Sequence, residues 1–525
     1  MTRTDNKGGK RPLVPVGKRQ APPLLPGCVF LLACVLFNLW AVRIGWGHSL
    51  LDQHGFRQTQ TAISVWRLLE GGPWLAYETP VLGPPWAIPM EFPLYQWVVT
   101  VAVRVLGLPL DQAGRVVSLA FFYLSMPAAF LLLRRLRVAP SHALALLGLW
   151  LVSPQYLFWS RTFMIETAAL CFGLWYLVGT MRLVDEPGLG RGLVVAACGS
   201  LAGLVKLTTV VPVMLLAAVW CAATWWRVRP SRIQVAGTAT ALFLVPVLIT
   251  AVWTEYAESV RAANPLARSF LLAAQLNTWN FGTQAQRISG EFWRVLVLRT
   301  VPDAVGHLAV MGGAGLLVAW VPLRWKETLA CVGAFLVAPL TFTNLHVVHN
   351  YYACANAVFL VAAVGLAVVV VLEAPGRRRY VGIASLVVVG AIEVSGFLGG
   401  YYVTQLRETQ PVAAATVARL TEPDDVVLVY GGDWSSVLPY YARRRALMDR
   451  SNRSFADPVM QEALAALHGD RIGAAVFCGA TRVRTDLTRQ AQLTFALENA
   501  PLRVSGCDVY ARAASAVTSG AAVRR

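Results

Sequence analysis

Runs of about twenty apolar residues recur along this chain, separated by short loops rich in arginine and lysine. Each run is long enough to cross a bilayer as an α-helix. A chain built this way is expected to be a polytopic α-helical membrane protein. It is 56% hydrophobic and only 14% charged, where a soluble protein carries roughly a quarter of its residues charged. The net charge of +18 does not point to nucleic acid. The cations sit in short loops between apolar runs, as cytoplasmic loops do, so no nucleic-acid partner is expected.

The basic stretch 1–23, "MTRTDNKGGKRPLVPVGKRQAPP", reads as a disordered cytoplasmic tail. The run at 24–46 is too long for a signal-peptide core and reads as a retained first span. Further runs lie near 113–133, 140–158, 163–182, 190–206, 209–226, 234–253, 303–321, 327–345, 353–373 and 380–399. The short segment "PLYQWVVTVAVRVLG" is interrupted by Arg104. Reading it as a juxtamembrane or re-entrant helix puts "RRLRV", "WWRVRPSR", "PLRWKE" and "PGRRRY" all on the cytoplasmic side. The expectation is about eleven spans, 11–13 at the limits.

This threading places on the outer face the 47–112 loop, the turn "SPQYLFWSRTFMIE", the long 254–302 loop and "TNLHVVHNYY". The tail from 401 to 525 falls outside as well. Within it "DDVVLVYGG", "GAAVFCG" and "LRVSGCDVYAR" read as strands and "DLTRQAQLTFALENA" as a helix, giving a small extracytoplasmic α/β domain. None of the nine cysteines forms a CxxC or Cys/His metal spacing. Cys478 and Cys507 lie in this tail and are placed to pair in an oxidising compartment.

In the first outer loop, Ala62, Val65, Trp66 and Leu69 share a helical face, which predicts an amphipathic helix lying on the bilayer and ending at Gly71-Gly72-Pro73. Asp52, His54, Arg57, Gln58 and Gln60 stand at its entrance, and Glu91 follows about thirty residues on. Carboxylates and an arginine beside such a helix suit a substrate with an acyl tail and a charged head. Sugar transfer from a lipid phosphate needs a carboxylate to take the proton of the attacking hydroxyl. It also needs cations, hydrogen-bond donors or a metal to stabilise the departing phosphate. Arg57, Arg161, Lys206, His346 and His349 lie near outer helix ends and qualify for the second task. Lys206, between two apolar runs, either snorkels to the interface or meets an anion. Glu166 opens a helix and is read as a supporting residue, paired with Arg161, holding a distant residue or favouring the helix N-terminus. His346 and His349 lack an obvious third ligand and read as hydrogen-bonding groups rather than a zinc pair. Trp279 and Phe281, in "NTWNFG", either stack a sugar or belong to an interfacial aromatic belt.

The segments "AISVWRLLEGGPW", "EFPLYQWVVTVAVRVLG", "AGRVVSLAFFYLSMPAAFLLLRRL", "SRTFMIETAALCF", "LAGLVKLTTVVP" and "HVVHNYY", in this order, resemble the GT-C glycosyltransferase superfamily. The likeness is to the branch of protein mannosyltransferases and lipid A aminoarabinose transferases, across about 24–400. It implies a GT-C-type transmembrane catalytic domain, a polyprenyl-phosphate sugar donor on the outer face, inversion at the anomeric carbon, and an acidic general base in the first outer loop. An envelope glycan, glycolipid or protein is the implied acceptor. A divalent cation (Mg or Mn) stays open. The chain departs from the pattern where the usual Asp-Glu pair falls on Arg57-Gln58, which leaves Glu91 and Asp52 as the candidate catalytic carboxylates. Arg57, Gln58, His54, Gln60, Lys206, Arg161, His346, His349 and Tyr351 are then expected around the donor phosphate and sugar, with Glu166 and Tyr95 supporting.

High Ala, Val, Arg and Gly content fits a GC-rich bacterial genome and a bacterial plasma membrane. Two other functions stay open: a flippase or transporter of lipid-linked glycans, and a non-catalytic binder of polyprenyl-linked glycans. The first would more often show an internal repeat; none is visible. The second is favoured by the Arg57-Gln58 replacement.

Overall fold

The computed structural model describes residues 24–512. The basic tail expected at 1–23 lies outside the described residues. The chain is a multi-pass helical membrane protein with a small sheet domain at its C-terminal end. Among the described residues six helices are long and apolar enough to cross a bilayer: Leu24–Arg43 (α1), Leu110–Arg135, Glu166–Asp185, Leu207–Val228, Arg232–Ala262 and Arg378–Leu406. A seventh span forms if the pair Gly290–Val305 and Leu308–Trp320, bent by 80° at its break, is counted as one. Shorter apolar helices occupy Leu94–Leu106, Pro140–Val152, Leu189–Val205 and Ala357–Leu372.

The loop after α1 contains Gly55–Leu69 (α2) and Leu94–Leu106 (α3), followed by the long Leu110–Arg135 (α4). At 1.5 Å per residue α3 reaches only about 20 Å, short of a ~30 Å hydrocarbon core. Its outer residues Val101, Val105 and Leu106 are exposed while Tyr95, Gln96, Val99 and Thr100 are buried. An exposed apolar face with a buried polar one is the pattern of a lipid-facing helix. Next come Pro140–Val152 (α5), Pro154–Trp159 (α6), Glu166–Asp185 (α7), Leu189–Val205 (α8) and Leu207–Val228 (α9). Between α8 and α9 Lys206 is extended, with φ −161° and ψ 100°. It breaks what would otherwise be one helical hairpin arm. The expected loop at 254–302 is largely helical, and Arg261 and Asn264 tie it to carbonyls of Pro89, Leu82, Gly83 and Pro85.

The four basic loops converge at one end. Arg324 donates to the Leu136 and Arg137 carbonyls and pairs with Glu373, beside "PGRRRY". Arg227 and Lys326 line one cavity there of about 610 Å³. At the other end of α4, Asp111 accepts from the hydroxyls of Tyr440 and Tyr441 in the sheet domain. The 26-residue α4 therefore holds the basic loops and the sheet domain about 39 Å apart.

The last apolar helix continues to Leu406 rather than stopping near 400. Beyond it, Val426–Tyr430 (β1), Arg445–Met448 (β2), Ile472–Cys478 (β3), Leu502–Val504 (β4) and Cys507–Ala511 (β5) form a sheet of order β2-β1-β3-β5-β4. The first three strands are parallel and β5 is antiparallel to β3. "LRVSGCDVYAR", expected as one strand, is a hairpin turning at Ser505-Gly506, both at positive φ, as a tight two-residue turn requires. Cys478 and Cys507 face each other in the β3–β5 register and are joined by a disulfide. The predicted helix is present as Thr485–Phe495.

One expectation is corrected by this domain. Helix α2 does not lie on the bilayer surface: every residue from Gln58 to Val65 is buried. Trp434 packs on Phe56 and Arg443 stacks over Trp66. The domain covers α2, so its apolar face meets protein where lipid was expected.

Candidate functional site

Three ion pairs organise the end of the helices opposite the basic loops. Asp52 precedes α2 and is almost wholly buried. Its Oδ2 accepts from Arg161 Nη2 at 2.9 Å, and its Oδ1 accepts from Gln58 Nε2 at 2.8 Å and from the Gln53 amide at 2.9 Å. Gln58 in turn accepts from the Phe163 amide at 3.1 Å. Asp52, Gln58 and Arg161 therefore fasten the start of α2 to the α6–α7 turn, and both oxygens of the Asp52 carboxylate accept hydrogen bonds.

The second pair joins Arg57 to Glu91. Arg57 also donates to Gln60 Oε1 at 2.7 Å. Burial alone would depress the Arg57 guanidinium, but Glu91 overrides it and raises its pKa. Glu91 keeps 24% of its side chain exposed, against 4% for Asp52, so of these two carboxylates it is the one another molecule can reach. Its backbone is well anchored. The Tyr77 hydroxyl donates to the Glu91 carbonyl, Trp253 Nε1 donates to the Met90 carbonyl, and the Phe92 amide donates to the Leu204 carbonyl.

The third pair, Lys206 with Glu166, bridges the α8–α9 break and the first residue of α7, both side chains nearly inaccessible. Of the alternatives for Glu166, it holds a distant residue. Lys206 Nζ also lies 4.2 Å above the Tyr352 ring and 5.2 Å from that of Tyr351, a cation–π arrangement. Glu166 Oε2 is buried without a hydrogen-bond partner.

The turn at 346–352 closes the cluster. His54, at φ +46° before α2, lies 3.0 Å from Asn350 Oδ1, and its ring meets those of His349 and Tyr351 at 5.2 and 5.0 Å. Burial, and then the Lys206 and Arg299 charges, push His346 down to about 3. Burial, and then the charges of His54, Lys206, Arg57 and Arg299, push His349 down to about 4. His54 is lowered too, chiefly by burial. The histidines are neutral near pH 7 and serve as hydrogen-bonding groups rather than cations. His349 Nδ1 is buried and unpartnered.

Tyr95 stands apart: it is fully buried and donates to the Gly114 carbonyl at 2.9 Å. Phe281 stacks on Phe342 at 5.2 Å, whereas Trp279 reaches His349 at 6.0 Å. Sequence reasoning missed Asn350 and Tyr352, although both stand in "HVVHNYY". It also missed Arg299, which holds the His346 and Val347 carbonyls. Asn350 and Tyr352 lie in a 3₁₀ turn, which leaves no periodic signal.

Among the described residues no three His, Cys, Asp or Glu gather as a metal-holding group. Each carboxylate of the cluster already faces its own cation.

No protein-family model matches the chain, and no curated protein sequence does. Solved structures do resemble it. ArnT from Cupriavidus metallidurans bound to undecaprenyl phosphate superposes with a TM-score of 0.59 at 15% identity, over 92% of this chain and 98% of that one. The Archaeoglobus fulgidus oligosaccharyltransferase in the apo form gives 0.54 at 12% identity, over 84% and 69%. The archaeal oligosaccharyltransferase AglB from Archaeoglobus fulgidus, with an inhibitory peptide and a dolichol-phosphate, gives 0.52 at 9%, over 86% and 69%. The chain has the GT-C glycosyltransferase fold expected from its motifs.

Proposed function

We propose that this protein is a glycosyltransferase that moves a sugar from a polyprenyl-phosphate donor to an acceptor hydroxyl on the outer face of a bacterial plasma membrane. The observation that carries the reading is the gathering of Lys206 over the Tyr351 and Tyr352 rings, with His54 against Tyr351, beside Arg57 on the reachable carboxylate Glu91. The cluster lies at the end of the helices opposite the basic loops. The likeness to a fold solved with undecaprenyl phosphate supports the donor class. On this reading the sheet domain is extracytoplasmic, the N-terminus is cytoplasmic, and the shorter helices complete about eleven spans.

In the proposed reaction the acceptor oxygen attacks the anomeric carbon of the donor sugar. The new C–O bond forms as the bond to phosphate oxygen breaks, so the configuration inverts. The acceptor proton passes to Glu91, a general-base step worth typically 10²–10⁴-fold. The electron pair of the broken bond leaves on the polyprenyl phosphate, whose growing charge is met by Arg57 and Lys206. Neutral His54 and His349, with Gln60 and Tyr351, orient the sugar and phosphate. Asp52, Gln58 and Arg161 hold the entrance of α2 in place.

The test is transfer of radiolabelled sugar from a panel of polyprenyl-phosphate sugars into a membrane extract, by the purified protein in lipid. Wild type should transfer, and Glu91→Gln should bind donor without turnover. Binding of the labelled lipid with no transfer from any donor would instead favour the non-catalytic binder, the reading that the Arg57-Gln58 replacement supports.

A further inference from the structure

Resting on the transferase reading, we propose that Trp279, Arg450 and Asp433 form the acceptor subsite, and that the acceptor group it takes is a carbohydrate. The contacts of these residues close into a ring at the outer edge of the buried cluster. His54 meets His349 at 5.2 Å, and His349 meets Trp279 at 6.0 Å. The Arg450 guanidinium lies 6.0 Å from the Trp279 ring centre and its Nε is 3.6 Å from Asp433 Oδ1. Next to Asp433, Trp434 packs on Phe56 at 5.1 Å, and Phe56 leads through Gly55 back to His54.

The inner members of this ring are the site described above; the outer members belong to the sheet domain. Asp433 follows β1 by three residues and Arg450 follows β2 by two. Both stand at the carboxyl ends of parallel strands, where open α/β sheets bind ligands. Asp433 and Arg450 keep 48% and 44% of their side chains exposed and Trp279 is 39% exposed. Arg450 also lies 5.6 Å from the Phe270 ring centre, which fixes its stem while its charged end stays open to a ligand.

The chemistry of the three groups selects the ligand. A ring of C–H bonds lies on the indole face, while neighbouring hydroxyls donate to the Asp433 carboxylate and accept from Arg450. An acceptor presenting phosphate would meet the like charge of Asp433. A peptide adding to the sheet is also disfavoured, because the nearby β2 edge is occupied. The Ala446 and Met448 amides donate to the Pro80 and Val81 carbonyls, and the Gly83 amide donates to the Ala446 carbonyl, so no row of open backbone groups remains for strand addition.

The experiment is saturation-transfer NMR on the full-length protein in lipid nanodiscs. The probes are methyl α-mannopyranoside, methyl α-arabinofuranoside, methyl β-galactofuranoside and a Ser/Thr-containing tripeptide, with undecaprenyl phosphate titrated in the same samples. At least one glycoside should receive saturation. Trp279→Ala and Arg450→Met should each weaken it about tenfold, the equivalent of about 1.4 kcal/mol. Trp279→Tyr should retain it, and undecaprenyl phosphate should bind all variants alike. Glycoside binding unchanged in both variants, or saturation of the tripeptide alone, overturns the subsite. So does the absence of any glycoside signal while undecaprenyl phosphate still binds, which leaves the donor reading standing. Failure of the wild type to bind undecaprenyl phosphate overturns the donor reading itself.

Discussion

Replacing Lys206 separates its structural from its catalytic role. Both members of the Lys206–Glu166 pair are nearly inaccessible, at 6% and 4% of their side-chain surface. Lys206→Met leaves Glu166 as a buried carboxylate whose second oxygen already lacks a partner. Removing one member of such a pair costs about 3–5 kcal/mol, whereas replacing both by apolar groups is neutral or stabilising. Lys206→Met should therefore unfold earlier in denaturant, and Lys206→Met/Glu166→Met should return to within about 1 kcal/mol of wild type. Turnover should not return with it. Loss of one charge-stabilising donor typically costs about 10²–10³-fold in rate, or 2.7–4 kcal/mol. The assay is tryptophan fluorescence during unfolding in lipid nanodiscs, paired with single-turnover sugar transfer expressed per folded molecule. A double variant that regains both stability and turnover refutes the catalytic role and leaves Lys206 as an internal strut.

Three other perturbations have defined outcomes. Asp52→Asn strips the counter-charge from Arg161, which is 1% exposed, so it should cost about 3–5 kcal/mol in unfolding measurements while transfer per folded molecule stays near wild type. Glu91→Gln should lower kcat at least about 10²-fold with little change in stability, since the Arg57–Glu91 pair is partly exposed. Stability should also fall as pH drops: His349 binds its proton near 4 when folded and near 6.5 when unfolded, so its contribution is complete above pH 6.5 and is lost as pH falls toward 4. At pH 5 the loss is about 2 kcal/mol, and His349→Gln should flatten the unfolding curve between pH 7 and 5.

Much of the architecture was legible because its signals are local. Apolar run length marks the spans, and the short continuous apolar runs "VVLVY" and "AAVF" mark β1 and β3, buried throughout. Strand β2, "RALM", is four residues between arginines and offers too short a pattern to read. The site was legible as a list of polar residues near outer helix ends, but their pairing was not. Lys206 finds Glu166 forty residues away in sequence, and nothing local to either residue names the other. Helix α2 shows the same limit. Its apolar face is visible, yet Gln58, Thr59, Gln60, Thr61 and Ser64 are buried as well, because partners distant in sequence meet them: Gln58 finds the Phe163 amide and Ser64 finds Thr79. Asp52 looked like a free acid for want of any sign that Arg161 and Gln58 would consume both its oxygens.

The departure from the usual acidic pair acquires a physical sense in the Arg57–Glu91 geometry. Before reaction the guanidinium is matched by the carboxylate, so the donor phosphate meets a site of balanced charge. When Glu91 takes the acceptor proton it becomes neutral, and the Arg57 charge is released from its partner. At that same moment the breaking C–O bond places a further negative charge on the phosphate. One unit of negative charge thus passes from Glu91 to the phosphate with Arg57 lying against the carboxylate throughout. An interaction that strengthens only as the bond breaks is the kind that raises kcat rather than ground-state affinity. An arginine standing in for an acid is then no loss of catalytic equipment, provided the carboxylate is supplied from elsewhere in the loop, the role proposed for Glu91. The same logic fixes the sign of the Glu91→Gln effect on binding. With the neutralised partner built in, Arg57 is free in the ground state, and undecaprenyl phosphate should bind that variant more tightly than wild type even as transfer fails.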